Sequence, residues 1–247
     1  MNQLGNIQAL YRHPVKSLGG EQLELAHIES YGMYGDRSHA FINSTKTGWD
    51  RFITARNYPR MLSYKASFQG EGTPDAFPQV TIMDETGHTF TWDEEFLQHF
   101  RQTFQQVAHM EQHLPTSSDV LAVDASSILI VTDASIRAME RLWGKPLDPR
   151  RFRPNLVVAL ENDTPFVEAD WIGKHIRIGE GADAVTLQVD EPCERCSIIT
   201  LDPDTYKRDP SLLKKLHQER KAFFGVYASV QHTGIIQQQD PVYVQDK

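Results

Sequence analysis

Cys193-Glu194-Arg195-Cys196 holds both cysteines of the chain, with a guanidinium between them. Three chemistries use such a tetrapeptide. A zinc site needs two further ligands at compatible spacing. There is no second Cys pair, and His217 and His232 fit no compact zinc motif. A thioredoxin-like dithiol belongs at a helix N-terminus after a strand, where the dipole lowers the thiol pKa. Here Ser197-Ile198-Ile199-Thr200 follows and reads as extended. The third chemistry is a single thiolate on a soft metal, with Arg195 helping to keep the sulfur ionised. Two buried structural cysteines are the plain alternative to all three.

Other polar segments raise the question of an anion. Arg150-Arg151-Phe152-Arg153-Pro154-Asn155 runs directly into the apolar Leu156-Val157-Val158. Arginines entering a core need partners, because an unpaired buried charge is strongly destabilising. A bound phosphate would satisfy them through bidentate hydrogen bonds; so would Asp148, Asp124 or Glu168. His13-Pro14-Val15-Lys16-Ser17-Leu18-Gly19-Gly20 sets a lysine and a hydroxyl in a turn after the first strand, with glycines that let backbone N–H groups approach an anion. Gly35-Asp36-Arg37 reads as a turn with a surface ion pair, and Asp124-Ala125-Ser126-Ser127 as the end of a loop before a strand. His39, His88, His99, His109 and His113 are scattered and suggest no catalytic role, and no nucleophile elbow is present.

The elements that position these groups are mostly strands. In the first half, periodicity and turn residues predict strands over 7–11, 40–42, 62–68, 80–83 and 89–92. A helix follows, with Thr91 and Glu94 as a capping box and Phe96, Phe100, Phe104 and Val107 on one face. The stretch 113–118 is the expected boundary, dividing the chain into 1–115 and 116–247. Beyond it, strands are predicted over 127–131, 156–160, 175–178, 185–189, 198–201, 225–230 and 242–244. One helix carries Ile136, Met139 and Trp143 and stops at Gly144, and another runs from Asp209-Pro210 to Lys221. The sum is an α+β fold, mostly antiparallel and β-barrel-like, with a few helices.

Composition narrows the function classes. The chain has 247 residues, 40% hydrophobic and 23% charged, the balance of a globular protein. Its net charge of −8 argues against a general nucleic-acid binder. Arginines nonetheless cluster at 51, 56 and 60 and at 150, 151 and 153, which suits an anionic small molecule or a set of surface ion pairs. No apolar run is long enough for a membrane span, and residues 1–8 lack the pattern of a secretory signal. Two cysteines are too few for a disulfide scaffold, so a cytoplasmic location is expected.

Taken together the segments resemble the MOSC superfamily, named for the C-terminal domain of molybdenum cofactor sulfurase. The resemblance rests on six pieces in order along the chain: Tyr11-Arg12-His13-Pro14-Val15-Lys16-Ser17; Gly32-Met33-Tyr34-Gly35-Asp36-Arg37; Thr54-Ala55-Arg56-Asn57-Tyr58-Pro59; Phe152-Arg153-Pro154-Asn155 with Glu168 and Trp171; Pro192-Cys193-Glu194-Arg195-Cys196; and Thr200-Leu201-Asp202-Pro203-Asp204-Thr205. The branch it most resembles holds mitochondrial amidoxime-reducing component and bacterial relatives. It implies an N-terminal β-barrel-like subdomain joined to a MOSC domain, and a molybdenum cofactor, molybdenum on molybdopterin. By the same resemblance Cys196 is the molybdenum ligand, Lys16, Ser17 and Arg37 hold the pterin phosphate and nearby groups, and Asp124, Ser126, Asn155 and Arg195 line the cofactor. Glu194 departs from the small hydroxyl residue that many relatives carry. The implied activity is an oxidoreductase that removes oxygen from N-hydroxylated small molecules. The chain has no flavin or nicotinamide fingerprint and too few cysteines for a four-Cys cluster, so a separate electron-transfer protein would supply electrons. The alternative is a carrier of the cofactor, or of a persulfide on Cys196.

Overall fold

A computed structural model describes residues 2–117 and 125–245. Among these the strands are β1 (Asn2–Arg12), β2 (Glu21–Leu23), β3 (Leu25–Glu29), β4 (Gly32–Met33), β5 (His39–Ile42), β6 (Lys65–Gln69), β7 (Gln79–Met83), β8 (Thr89–Thr91) and β9 (His109–Gln112) in the first half. The second half supplies β10 (Ile128–Thr132), β11 (Leu156–Leu160), β12 (His175–Ile178), β13 (Val185–Glu194), β14 (Phe223–His232), β15 (Gly234–Gln237) and β16 (Pro241–Gln245). The α-helices are α1 (Glu94–Phe104), α2 (Asp133–Trp143) and α3 (Ser211–Arg220).

Seven strands close a barrel in the order β1-β11-β10-β14-β13-β12-β16, with β16 returning to β1. All these pairs are antiparallel except β10–β11, which makes the ring mixed. Alternation explains which way the side chains face. Val185, Leu187 and Val189 of β13 and Ile176 and Ile178 of β12 point into one aliphatic core. β10 is buried throughout. Ile128 and Ile130 face the barrel, and Val131 faces a second apolar layer with Met139 of α2 and Leu212 and Leu216 of α3. Thr132 caps α2 by accepting from Ser135 N, and Gly144 ends it in the left-handed conformation.

A separate, aromatic core lies between β5, β6–β8 and α1, around Phe41, Phe90, Phe96 and Phe100. Here four local expectations are corrected. The cap of α1 is Asp93, which accepts from Phe96 N, and Thr91 donates its hydroxyl to that carboxylate instead of capping. Val107 lies beyond the helix and is exposed. The strand predicted over 62–68 is split: Pro59, with its fixed φ, starts a 3-10 turn over Pro59–Ser63 and only Lys65–Gln69 is extended. The strand predicted over 198–201 is a 3-10 turn, Ser197–Thr200. Its apolar residues serve two cores at once, Ile199 packing with the helices and Leu201 with the aromatic unit.

The halves are interlaced: β1 and β2 belong to the barrel sheet, and β15 pairs with β3. Among the described residues no helix is long and apolar enough to cross a membrane.

Candidate functional site

A cleft of about 740 Å³ opens where β13 ends, β10 and β11 begin, and the turns after β1 and β4 arrive. Lys16 and Ser17 reach it from the first turn, Arg37 from the second, Ser126 and Asn155 from the segments before β10 and β11, and Arg195 and Cys196 from the end of β13. Seven of the eight residues singled out from sequence thus share one cavity. Asp124 lies outside the described residues.

The backbone is strained where it delivers these side chains. Ser17, Arg37 and Arg153 all line the cleft and have φ of 68°, 50° and 52°. Each such left-handed non-glycine costs about 1–3 kcal/mol and persists only if its surroundings impose it. Local hydrogen bonds do so. Leu18 N donates to Val15 O, Lys16 N to His39 O, Arg37 N to His13 O at 2.7 Å and Arg153 N to Arg150 O. Asp36 accepts from His13 N at 2.7 Å and pairs with the Arg37 guanidinium, tying the two turns together.

Asn155 is fully buried and works as a clamp. Its Oδ1 accepts from Leu129 N at 3.0 Å and from Arg37 at 3.5 Å, and its Nδ2 donates to Tyr11 O at 3.3 Å. One amide therefore joins β1, β10 and the Arg37 turn. Arg37 also donates to Arg153 O at 3.2 Å, and Arg153 to Leu18 O at 2.8 Å. The Lys16 ammonium lies 4.4 Å from the Trp49 ring centre and 5.4 Å from that of Phe52, which gives it a cation–π seat. At the rim, the Ser126 hydroxyl donates to Asp190 at 2.5 Å.

The two thiols differ in kind. Cys193 is sealed, while Cys196 is partly exposed and lines the cleft. Arg195 donates to Cys193 Sγ at 2.8 Å and to Phe152 O at 2.6 Å. The Arg195 fork is turned inward, against the buried thiol, so it acts on Cys196 through charge and not through a hydrogen bond. Burial opposes charge on Arg195, but Cys193, Tyr227 and Cys196 outweigh it and hold its pKa above the usual arginine value. Its Nε is buried without a hydrogen-bond partner. Glu194 is exposed at the edge of the cleft.

Sequence reasoning placed the arginines only in part. Arg150 bonds Asp148 and Asp204, and Arg151 bonds Asp202, so the charges of these two are paired within the protein and only Arg153 of the three faces the cleft. Glu168 serves neither: it is buried, accepts from Ser135 at 2.8 Å and Thr132 at 3.2 Å, and has its pKa raised by burial. Gly19 N donates to Tyr64 O, so that glycine is a packing residue and not an anion donor. Arg56, noted from sequence only within the cluster at 51, 56 and 60 and the segment 54–59 and given no site role, lines the cleft. Arg51 pairs with Glu111 and Arg60 with Glu85, whereas the Arg56 guanidinium has no acceptor among the described residues. Its signal was the segment Thr54-Ala55-Arg56, whose Thr54 also lines the cavity.

Lys16, Arg37, Arg56, Arg153 and Arg195 thus face a cavity whose one lining carboxylate among the described residues is Glu194, in a chain of net charge −8. Among the described residues no group of three or more His, Cys, Asp and Glu side chains could hold a metal ion. A bare ion would find a single sulfur here. A metal that arrives on an anionic organic carrier, with its other ligands supplied by that carrier, matches one thiol set among cations.

Fold and cleft together define a small barrel protein with a cation-lined pocket around one open thiol. The chain belongs to the MOSC family: residues 4–127 match the MOSC N-terminal beta barrel domain and residues 117–243 the MOSC domain. It is similar to mitochondrial amidoxime-reducing component 1 of Danio rerio, 26% identical over 98% of this chain and 86% of that protein. The same protein of Homo sapiens is 26% identical over 99% of this chain and 84% of its own length. Molybdenum cofactor sulfurase of Drosophila grimshawi is 35% identical over 111 residues, 43% of this chain but 13% of that protein. Among solved structures, the YUAD protein from Bacillus subtilis shares the fold, with a TM-score of 0.54 at 13% identity over 98% of this chain and 96% of that one.

Proposed function

We propose that the cleft binds a molybdenum–pterin cofactor and that the protein is an oxidoreductase acting on N-hydroxylated small molecules. The observation that carries the reading is the meeting of Cys196, the one open thiol, with Lys16, Arg37, Arg56 and Arg153 in a single cavity. The names of the full-length relatives, amidoxime-reducing components, support the substrate class.

Cys196 would supply a thiolate to the metal, and the cationic side chains would hold the phosphate of the carrier. Ser17 and Ser126 offer hydroxyls at its edge, and the Asn155 clamp keeps the Arg37 turn in place. When bound, the group would supply the two-electron redox chemistry of the reaction. Two electrons and two protons enter, the N–O bond breaks, and water leaves. The electrons come from a separate redox protein, and the pre-set guanidinium donors spend no reorganisation on meeting the anion.

The test is production in a host that makes the cofactor, followed by molybdenum and pterin analysis and reduction of an aryl amidoxime with an artificial electron donor. Near-stoichiometric metal is expected, lost in Cys196→Ala and kept in Cys193→Ala. Equal metal in both variants would remove Cys196 from its role. A molybdenum-free protein carrying a stable persulfide on Cys196 would instead favour the carrier reading.

A further inference from the structure

Behind the 16–20 turn lies a second cavity, of about 950 Å³. Arg153 and Ile198 line both cavities and form the wall between them. The turn divides in the same way: Lys16 and Ser17 face the first, Gly19 and Gly20 the second.

The second cavity has two chemically distinct sides. Leu62, Ile198, Leu201 and Pro203 make an apolar wall, and Lys65, Arg150, Arg151 and Arg153 a cationic one. Its single acidic residue, Glu21, is held by Arg12 at 2.8 Å. Arg150 and Arg151 already have carboxylate partners, but the exposed Lys65 ammonium has no ion pair among the described residues. Between the two sides stands His13, 4% exposed. Neither of its ring nitrogens has a hydrogen-bond partner of good geometry. Gly20 makes room for the ring, since a Cβ there would come within 2.1 Å of His13 Nδ1. Burial, then Arg153 and Arg37, hold the imidazole neutral, opposed by backbone hydrogen-bonding contacts with Pro154 and Arg153. Those contacts fall outside good geometry, so the buried N–H is poorly satisfied and gains from a better acceptor.

We propose that this cavity is a second small-molecule site, for a carboxylate with a flat apolar body such as an aryl carboxylate. The body packs against Leu62, Leu201 and Pro203, and the carboxylate faces Lys65 and the His13 imidazole. A cation would meet the wrong charge, and inorganic phosphate would leave the apolar wall in water. The inference does not depend on the cofactor reading, because it uses neither Cys196 nor Lys16.

The experiment is calorimetric titration of the full chain with benzoate, beside benzyl alcohol, benzylamine and inorganic phosphate. Benzoate is expected to bind one to one, roughly tenfold or more tighter than the alcohol, with a Lys65→Glu variant weakening it by at least about tenfold. The His13 ring nitrogen resonances should shift on binding, and Cys196→Ala should leave the affinity unchanged. Lys65 is exposed, so its substitution leaves the fold intact, as the melting temperature would verify. No saturable binding, equal binding of benzylamine or phosphate, or indifference to Lys65→Glu would overturn the proposal. Loss of benzoate binding in Cys196→Ala would put the ligand in the first cleft and overturn it as well.

Discussion

The barrel and the aromatic unit beside it are made of different side chains and give the cleft different things. The barrel core is aliphatic, built from inward Ile, Val and Leu of seven paired strands. The neighbouring core is ringed by Phe41, Phe90, Phe96, Phe100 and Tyr64, with Phe41 and Phe100 stacked at 3.7 Å. From the ends of barrel strands come the thiol of Cys196 and the clamp of Asn155. From turns packed on the aromatic unit come Lys16 and Arg56, with Val15, Leu18, Ile53 and Ala55 as their buried anchors. The lesson is a division of labour. A closed ladder holds the thiol and the clamp, and loops seated on large rings carry two of the cleft's cations.

That comparison can be broken or sharpened, beginning with the largest effect. Phe100→Ala removes a fully buried stacked ring and should cost about 3–5 kcal/mol in urea unfolding. Leu187→Ala in the barrel should cost about 3 kcal/mol; a reversal of that order would show that the aromatic unit is not the more sensitive partner. Next comes pH. Burial, and then the neighbouring His113, lower the His39 pKa to about 4. The unfolded chain, with an ordinary histidine near 6.5, therefore binds more protons between those values, and stability falls as pH drops through that window. The loss should reach about 3 kcal/mol near pH 4, as denaturant titrations at pH 7.5 and 4.5 would measure. His39→Phe should remove that part of the dependence and leave the fall that the buried His13 contributes.

A smaller effect is expected at the junction itself. Asn155→Ala leaves Leu129 N–H buried without its side-chain acceptor and should cost about 1–3 kcal/mol. Hydrogen exchange should then quicken at Leu129 and in the Arg37 turn, and exchange confined to either unit alone would argue against a shared clamp. Smallest is Ser17→Gly, which relieves the left-handed strain and should raise stability by about 1 kcal/mol. Unchanged stability would mean that the turn imposes no strain on its own conformation.

Much of this was legible along the chain. The strands 156–160 and 175–178 could be read from apolar runs and from alternation, because burial on both faces or on one prints a pattern on neighbouring residues. The end of α2 could be read for the same reason: Gly144 acts within a turn of itself, whereas the N-cap was open between Thr132 and Asp133. Errors arose where distant groups set the local conformation. The turn at Ser197–Thr200 sends Ile199 and Leu201 to different cores, and its Thr200 hydroxyl accepts from Arg208 at 3.0 Å. Nothing in the four residues announces this.

For the site the division is sharper. Sequence alone marked which residue types carry chemistry: one Cys pair, arginine clusters, and a lysine and serine in a turn. It could not say which arginine faces a ligand, since Arg56 and Arg60 look alike until Glu85 is found beside one of them. Residue types by themselves did not separate Cys196 from Cys193, which only the family resemblance did, and no sequence signal showed that Arg195 turns towards the sealed thiol. Residue identity is a local property and survives in the linear text. Charge pairing and exposure depend on what the fold brings within a few ångströms, and only the closed barrel with its seated loops decides that.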